Sequence, residues 1–153
     1  MHISEGLLNG PVLAAGAAVA LAGTAVGLRK LDLEQIAQAG MLSTAFFVAS
    51  LIHVPIGPSS VHLVLNGLVG LLLGWAAFPA ILTALILQAM LFQYGGLTTL
   101  GVNTVIMAFP AVICYLLFGP FIRKSPRIAL PAAFACGAGA VLLGGLLAGT
   151  ALM

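Results

Sequence analysis

The residues best equipped for chemistry in this sequence are its three histidines, His2, His53 and His62, together with the amino terminus itself. His2 follows Met1 directly. A free α-amine, the His2 amide nitrogen and the His2 imidazole are therefore adjacent donors. Bound through Nδ1, they close one five-membered and one six-membered chelate ring. A metal displaces an amide proton only if it bonds nitrogen strongly. Ni(II) and Cu(II) do so, and both accept planar four-nitrogen coordination. The fourth donor would be an imidazole, with His62 the first candidate and His53 the second. His53 is better read as a supporting residue that holds a neighbour in place. The competing reading makes His2 an ordinary interfacial residue. Because His2 is large, Met1 is expected to survive initiator removal.

The elements that must position these residues follow from composition. The chain has 153 residues, 62% of them hydrophobic, and only eight Asp, Glu, Lys or Arg. Mean hydropathy is +1.24. Eight charges cannot cover a water-soluble globule of this size, and disordered chains are polar and highly charged. An integral membrane protein remains. A net charge of +2 is too small to imply nucleic acid. No basic n-region precedes the first apolar run, so the N-terminus is read as uncleaved. Cys114 and Cys136 lie inside apolar runs with no CxxC pattern. They read as buried thiols acting as small hydrophobes.

Six apolar segments are predicted as helices: Pro11–Leu28, Ala39–Val54, Ser60–Trp75, Pro79–Phe92, Asn103–Phe118 and Ala129–Met153. They are apolar nearly all round and too long for buried strands, and lipid demands internally satisfied backbone. The expected fold is an all-α, polytopic transmembrane bundle forming one domain over residues 1–153. Residues 1–10 form an N-terminal segment ahead of a bundle over 11–153. With six crossings, Arg29, Lys30, Arg123, Lys124 and Arg127 fall on one side, which the positive-inside rule makes cytoplasmic. The N-terminus then lies outside, and all three histidines gather at the outer face.

Around those histidines the sequence offers supporting groups. Pro55-Ile56-Gly57-Pro58 reads as a sharp helix stop and restart. Ser60 then caps the third helix, with His62 in its first turn, and His53 ends the second. The outer loop Gln93–Asn103 contains three glycines and several hydroxyls. Asn103 and Met107 fall one helical turn apart, and Asn103 is placed to orient an imidazole or the N-terminal segment. Glu5 sits beside the terminus. Gly23 with Gly27, Gly70 with Gly74, and Gly145 with Gly149 have the G-x-x-x-G spacing that permits close helix contact. No Gly-Lys-Ser/Thr phosphate loop is present, so ATP hydrolysis of that kind is not expected from this chain.

These motifs together resemble a known family. Met1-His2-Ile3-Ser4-Glu5-Gly6 is similar to the opening of the CbiM/NikM family, the substrate-binding membrane subunits of energy-coupling-factor nickel and cobalt transporters. Ser59-Ser60-Val61-His62 resembles that family's second histidine motif. Gly95-Gly96-Leu97-Thr98-Thr99-Leu100-Gly101-Val102-Asn103, with Met107, resembles its glycine-rich motif. The matches occur in family order across nearly the whole chain.

The resemblance implies a metal held by the Met1 amine, the His2 amide and imidazole, and the His62 imidazole. It implies supporting roles for His53, Ser60, Glu5 and Asn103, and an N-terminal segment tucked into the bundle. The metal would be the transported substrate, Ni(II), with Co(II) as the alternative. The implied partners are a transmembrane coupling subunit, cytoplasmic ATP-binding-cassette ATPases and an additional small membrane subunit, all at the cell inner membrane. Val61-His62-Leu63-Val64-Leu65-Asn66-Gly67 looks more like the nickel branch. Family members usually carry one more membrane helix, so a seventh helix is read as missing here. Outside this family, the remaining readings are a structural or assembly subunit packed through its glycine faces, or, poorly supported, a membrane enzyme.

Overall fold

The computed structural model describes residues 3–56, 59–62, 65–124 and 126–153, with the side chains of 53–56, 59–62, 123, 124 and 126 left out. The chain runs α1 (Gly10–Arg29), α2 (Leu33–Leu51), β1 (His53–Ile56), β2 (Ser59–His62), α3 (Asn66–Leu73), α4 (Ala77–Phe92), α5 (Leu100–Lys124) and α6 (Pro126–Ala151). A single 3-10 turn, Gly74–Ala76, joins α3 to α4. Pro11 opens α1, where its missing N–H costs nothing.

Two of the sequence expectations are corrected here. The predicted helix from Ser60 to Trp75 does not form as such. Its first residues pair as β2 with β1 in an antiparallel hairpin, and helix begins only at Asn66. His62 is therefore on a strand, not in a first helical turn. The residue ahead of α3 is Leu65, so Ser60, on β2, does not hold its N-cap position. His53 likewise opens β1 rather than ending α2, which stops at Leu51. The physical reason is local. Pro55 pushes Val54 before it into extended backbone, and β-branched Val54, Ile56 and Val61 favour it.

The second correction concerns the count of crossings. Among the described residues, taking α3, the 3-10 turn and α4 as one stretch leaves five helical stretches rather than six. Four stretches among the described residues are long and apolar enough to cross a membrane: Gly10–Arg29, Asn66–Phe92, Leu100–Ile122 and Arg127–Ala151. Polar Glu34, Gln35 and Gln38 near the start of α2 dilute its hydropathy. The stretch Asn66–Phe92 also doubles back. Gly70 packs on Ala111 and Gly74 beside Tyr115, so α3 runs parallel to α5. Gly27 at the end of α1 meets Trp75 and Pro79, so α4 starts where α1 stops. Gly74, at φ 57° and ψ −122°, makes the reversal in backbone that only glycine adopts readily. With eight residues, α3 rises only about 12 Å.

Packing centres on Phe46, Val69, Phe78, Ile81, Leu85 and Met107, drawn from α2, α3, α4 and α5. Polar groups inside are paired, as a low-dielectric interior requires, apart from the buried Thr24 hydroxyl, which has no partner among the described residues. Ser43 Oγ donates to the Ala80 carbonyl (2.7 Å), and Gln88 Nε2 donates to Ser50 Oγ. These links join α2 to α4 in parallel. The two cysteines are buried free thiols that also bridge helices. Cys114 Sγ donates to the Cys136 carbonyl at 3.3 Å, and Cys136 Sγ to the Gly67 carbonyl at 3.6 Å. They thus tie α5 to α6 and α6 to α3, a role beyond filling space. The opposite face of α6 presents Leu130, Phe134, Leu142 and Leu146 outward. A continuous apolar face of this kind suits lipid and not water.

Candidate metal centre

The N-terminal segment folds back onto the start of α5. Asn103, 2% exposed, occupies the first turn of that helix. Its Oδ1 accepts the Ile3 backbone N–H at 2.9 Å. Its Nδ2 donates to the Ile3 carbonyl at 3.1 Å and to Thr99 Oγ1 at 3.3 Å. One side-chain amide thus satisfies both backbone groups of Ile3, as a neighbouring strand would. Thr99 is fully buried and donates in turn to the Gly96 carbonyl at 3.4 Å. The Ile3 side chain is buried with Val102 and Ile106, flanked by Leu8, Val12 and Leu147. The segment is therefore held by a polar clasp and an apolar plug at once.

Glu5 makes a second attachment. Its Oε1 accepts from the Thr98 N–H at 3.2 Å and the Thr98 hydroxyl at 3.4 Å. Gly95 and Gly96, at φ 82° and 130°, turn the loop beneath it. A Cβ on Gly96 would run into the Glu5 side chain. Gly101 brings α5 onto the backbone of α1 at Ala17. The letters of the motif Gly95–Asn103 thus act together to receive the terminus.

Of the predicted site residues, Glu5 and Asn103 are brought to the N-terminal segment. His53 and His62 are set directly opposite each other in the hairpin register, and Pro55 faces Ser60. Met1 and His2, and the side chains of His53, Ser60 and His62, lie outside the described residues. Among the described residues no group of three or more His, Cys, Asp or Glu could hold a metal. Sequence reasoning missed Ile3, Thr98 and Thr99. Thr99 carried a signal, being one helical turn ahead of Asn103; Ile3 carried none beyond being apolar.

Asn103→Leu would leave the Ile3 N–H and carbonyl unpaired, a cost of about 1–3 kcal/mol. The expected result is at least about fivefold faster hydrogen exchange at the Ile3 amide, at ~1.4 kcal/mol per tenfold, with exchange in the middle of α5 unchanged.

Fold and clasp define a multi-pass membrane protein whose N-terminal segment, at Ile3 and Glu5, is held against its helical bundle. Residues 2–153 match the family model described as "Cobalt uptake substrate-specific transmembrane region", CbiM. The chain belongs to the CbiM family. A putative metal transport protein of Haemophilus influenzae is 52% identical over 144 residues, covering 94% of this chain and 69% of that protein. A fused nickel transport protein NikMN of Rhodobacter capsulatus is 36% identical, over 71% of this chain and 33% of its own length. A cobalt transport protein CbiM of Geobacter sulfurreducens is 33% identical, over 70% of this chain and 34% of its own. Thus the chain spans about a third of these last two relatives. The crystal structure of a transition metal transporter superposes with a TM-score of 0.77 at 26% identity, covering 96% of this chain and 67% of that one. A truncated transition metal transporter gives 0.76 at 25% identity, covering 96% and 72%. These relatives are all named for metal transport.

Proposed function

We propose that this chain is the metal-capturing component of an ATP-driven nickel uptake transporter, and that it binds Ni(II) at the outer face of the cell inner membrane. The observation that carries this reading is the twin hydrogen bond between the Asn103 amide and Ile3. It fixes the backbone one residue from His2, which supports a chelate anchored at this end of the bundle. The Met1 amine, the His2 amide nitrogen and imidazole, and the His62 imidazole are the four ligands. Glu5 and Asn103 support the segment; His53, opposite His62 in the hairpin, and Ser60 support the second arm. Ni(II) suits this donor set because it stabilises a deprotonated amide in planar coordination.

In this reading the N-terminus faces outward and the five Lys and Arg residues face the cytoplasm. Chains named as fusions, NikMN and the CbiMQ of Methanocorpusculum labreanum, support pairing with other membrane components. The ATPases and the coupling subunit are separate chains, in keeping with the lack of a phosphate loop here. The Geobacter relative named for cobalt favours the second reading, the same role for Co(II).

The test is metal stoichiometry on the detergent-purified, untagged chain, with Ni(II) and Co(II) in competition. One tight Ni(II) per chain that Co(II) displaces only in excess is the expected result. Preferential Co(II) binding would transfer the assignment to cobalt. An unchanged affinity in His2→Ala and in His62→Ala would overturn the site.

A further inference from the structure

At the end of the bundle opposite the N-terminal segment, the structure has a second built site. A cavity of about 390 Å³ opens between the α1–α2 junction, the turn at Gly74 and the middle of α5. Lys30, Gln35, Gly74, Trp75, Tyr115 and Leu116 line it. We infer that this pocket binds the phosphate headgroup of an anionic phospholipid.

Lys30 supplies the first reason. Its Nζ lies 5.3 Å from the centroid of the Trp75 ring. It makes no ion pair among the described residues, although Asp32 and Glu34 follow closely in sequence. A cation resting on an aromatic face is positioned but keeps its N–H donors for an acceptor. The walls supply the second. Gln35 and the Trp75 indole bring further donors, while Leu73 and Leu116 make the remainder apolar. A headgroup joined to glycerol and acyl chains has that same division. Tryptophan and lysine also concentrate where hydrocarbon meets headgroups, and basic pockets between helices take anionic headgroups there. The shared chemistry is a phosphate anion, which a lipid or a soluble phosphate could bring. The inference does not rest on the metal reading.

Trp75 is the sole tryptophan of the chain, so its fluorescence reports on this pocket alone. The full chain would be reconstituted in phosphatidylcholine vesicles and titrated with phosphatidylglycerol or phosphatidylcholine carrying brominated acyl chains, which quench tryptophan on contact. Brominated phosphatidylglycerol is expected to bind about fivefold better, the ratio given by the ~1 kcal/mol that one basic residue contributes at an anionic surface. Lys30→Gln should bring the ratio close to unity. Lys30→Arg and Arg29→Gln should both preserve it. Equal quenching by the two lipids in the native chain would overturn the inference. So would an equal loss in Arg29→Gln, which would mean diffuse attraction and no site. Relief of phosphatidylglycerol quenching by millimolar inorganic phosphate would assign the pocket to a soluble anion instead of a lipid.

Discussion

A chain with one glycine added ahead of Met1 is expected to bind nickel more than about 100-fold more weakly than the native chain, beyond the 10- to 100-fold usual for losing a supporting residue. The addition removes no side chain and changes no helix. It turns the terminal amine into an amide, which binds only if it too loses its proton, and so breaks the two-ring chelate. It also displaces the α-amine by three backbone atoms from a segment that Asn103 and Glu5 fix at Ile3 and Thr98. Isothermal titration of both chains with Ni(II) would check it, with helicity by circular dichroism as the control. Equal affinity would move the site away from the terminus, towards His53 and His62. The experiment separates a chelate that includes the amine from one built of imidazoles alone.

The second large effect concerns the interior. Gly70→Ala is expected to destabilise the chain by about 3 kcal/mol, the upper end for overpacking a close-packed interior. A Cβ at Gly70 would overlap the Ala111 carbonyl oxygen, with the Ala111 Cα also within contact distance at 2.8 Å. Both obstacles are backbone, so no rotamer change relieves them. Gly145→Ala is the matched control, because nothing lies within 4 Å of a Cβ there. In α6 the substitution should be neutral, or stabilising by up to about 1 kcal/mol through helix propensity. Thermal unfolding in detergent would read both. A Gly70→Ala chain with an unshifted midpoint would contradict the close approach of α3 to α5.

These two outcomes draw on different amounts of what the sequence discloses. The bundle itself was legible. The run Pro11–Leu28 became Gly10–Arg29, and Pro79–Phe92 became Ala77–Phe92, because long apolar runs ended by charge or glycine leave few other folds. The helix predicted to end at Phe118 continues to Lys124, past Pro110 and Pro120. Neighbouring helices in a membrane protein tolerate such prolines. The hairpin was not legible. Pro55 to Pro58 reads as a break between two helices, and extended pairing on either side of it is a tertiary outcome. The reversal near Gly74 was legible in place, since the third predicted helix ended at Trp75 and the fourth began at Pro79, but nothing in Leu71-Leu72-Leu73-Gly74-Trp75 marked Gly74 itself as the turning residue. At the site, Asn103 and Glu5 could be picked out as polar residues near one end. Their partners could not, because Ile3 and Asn103 are separated by 100 positions and their bond runs through backbone.

The seat of α3 has a mechanical consequence. This helix begins four residues after His62 and ends at the Gly74 reversal. It meets its neighbours backbone to backbone. Gly67 lies on Gly137 and Gly70 on Ala111, and the Cys136 thiol bonds the Gly67 carbonyl. Where side chains intervene, a helix can slip by changing rotamers; where main chains touch, it has no play. A push at the Gly74 turn therefore travels along α3 to Asn66 with little lost on the way, and α5 and α6 travel with it. Shear between helices falls to the other contacts of the bundle, those that α1, α2 and α4 make among themselves and with this block.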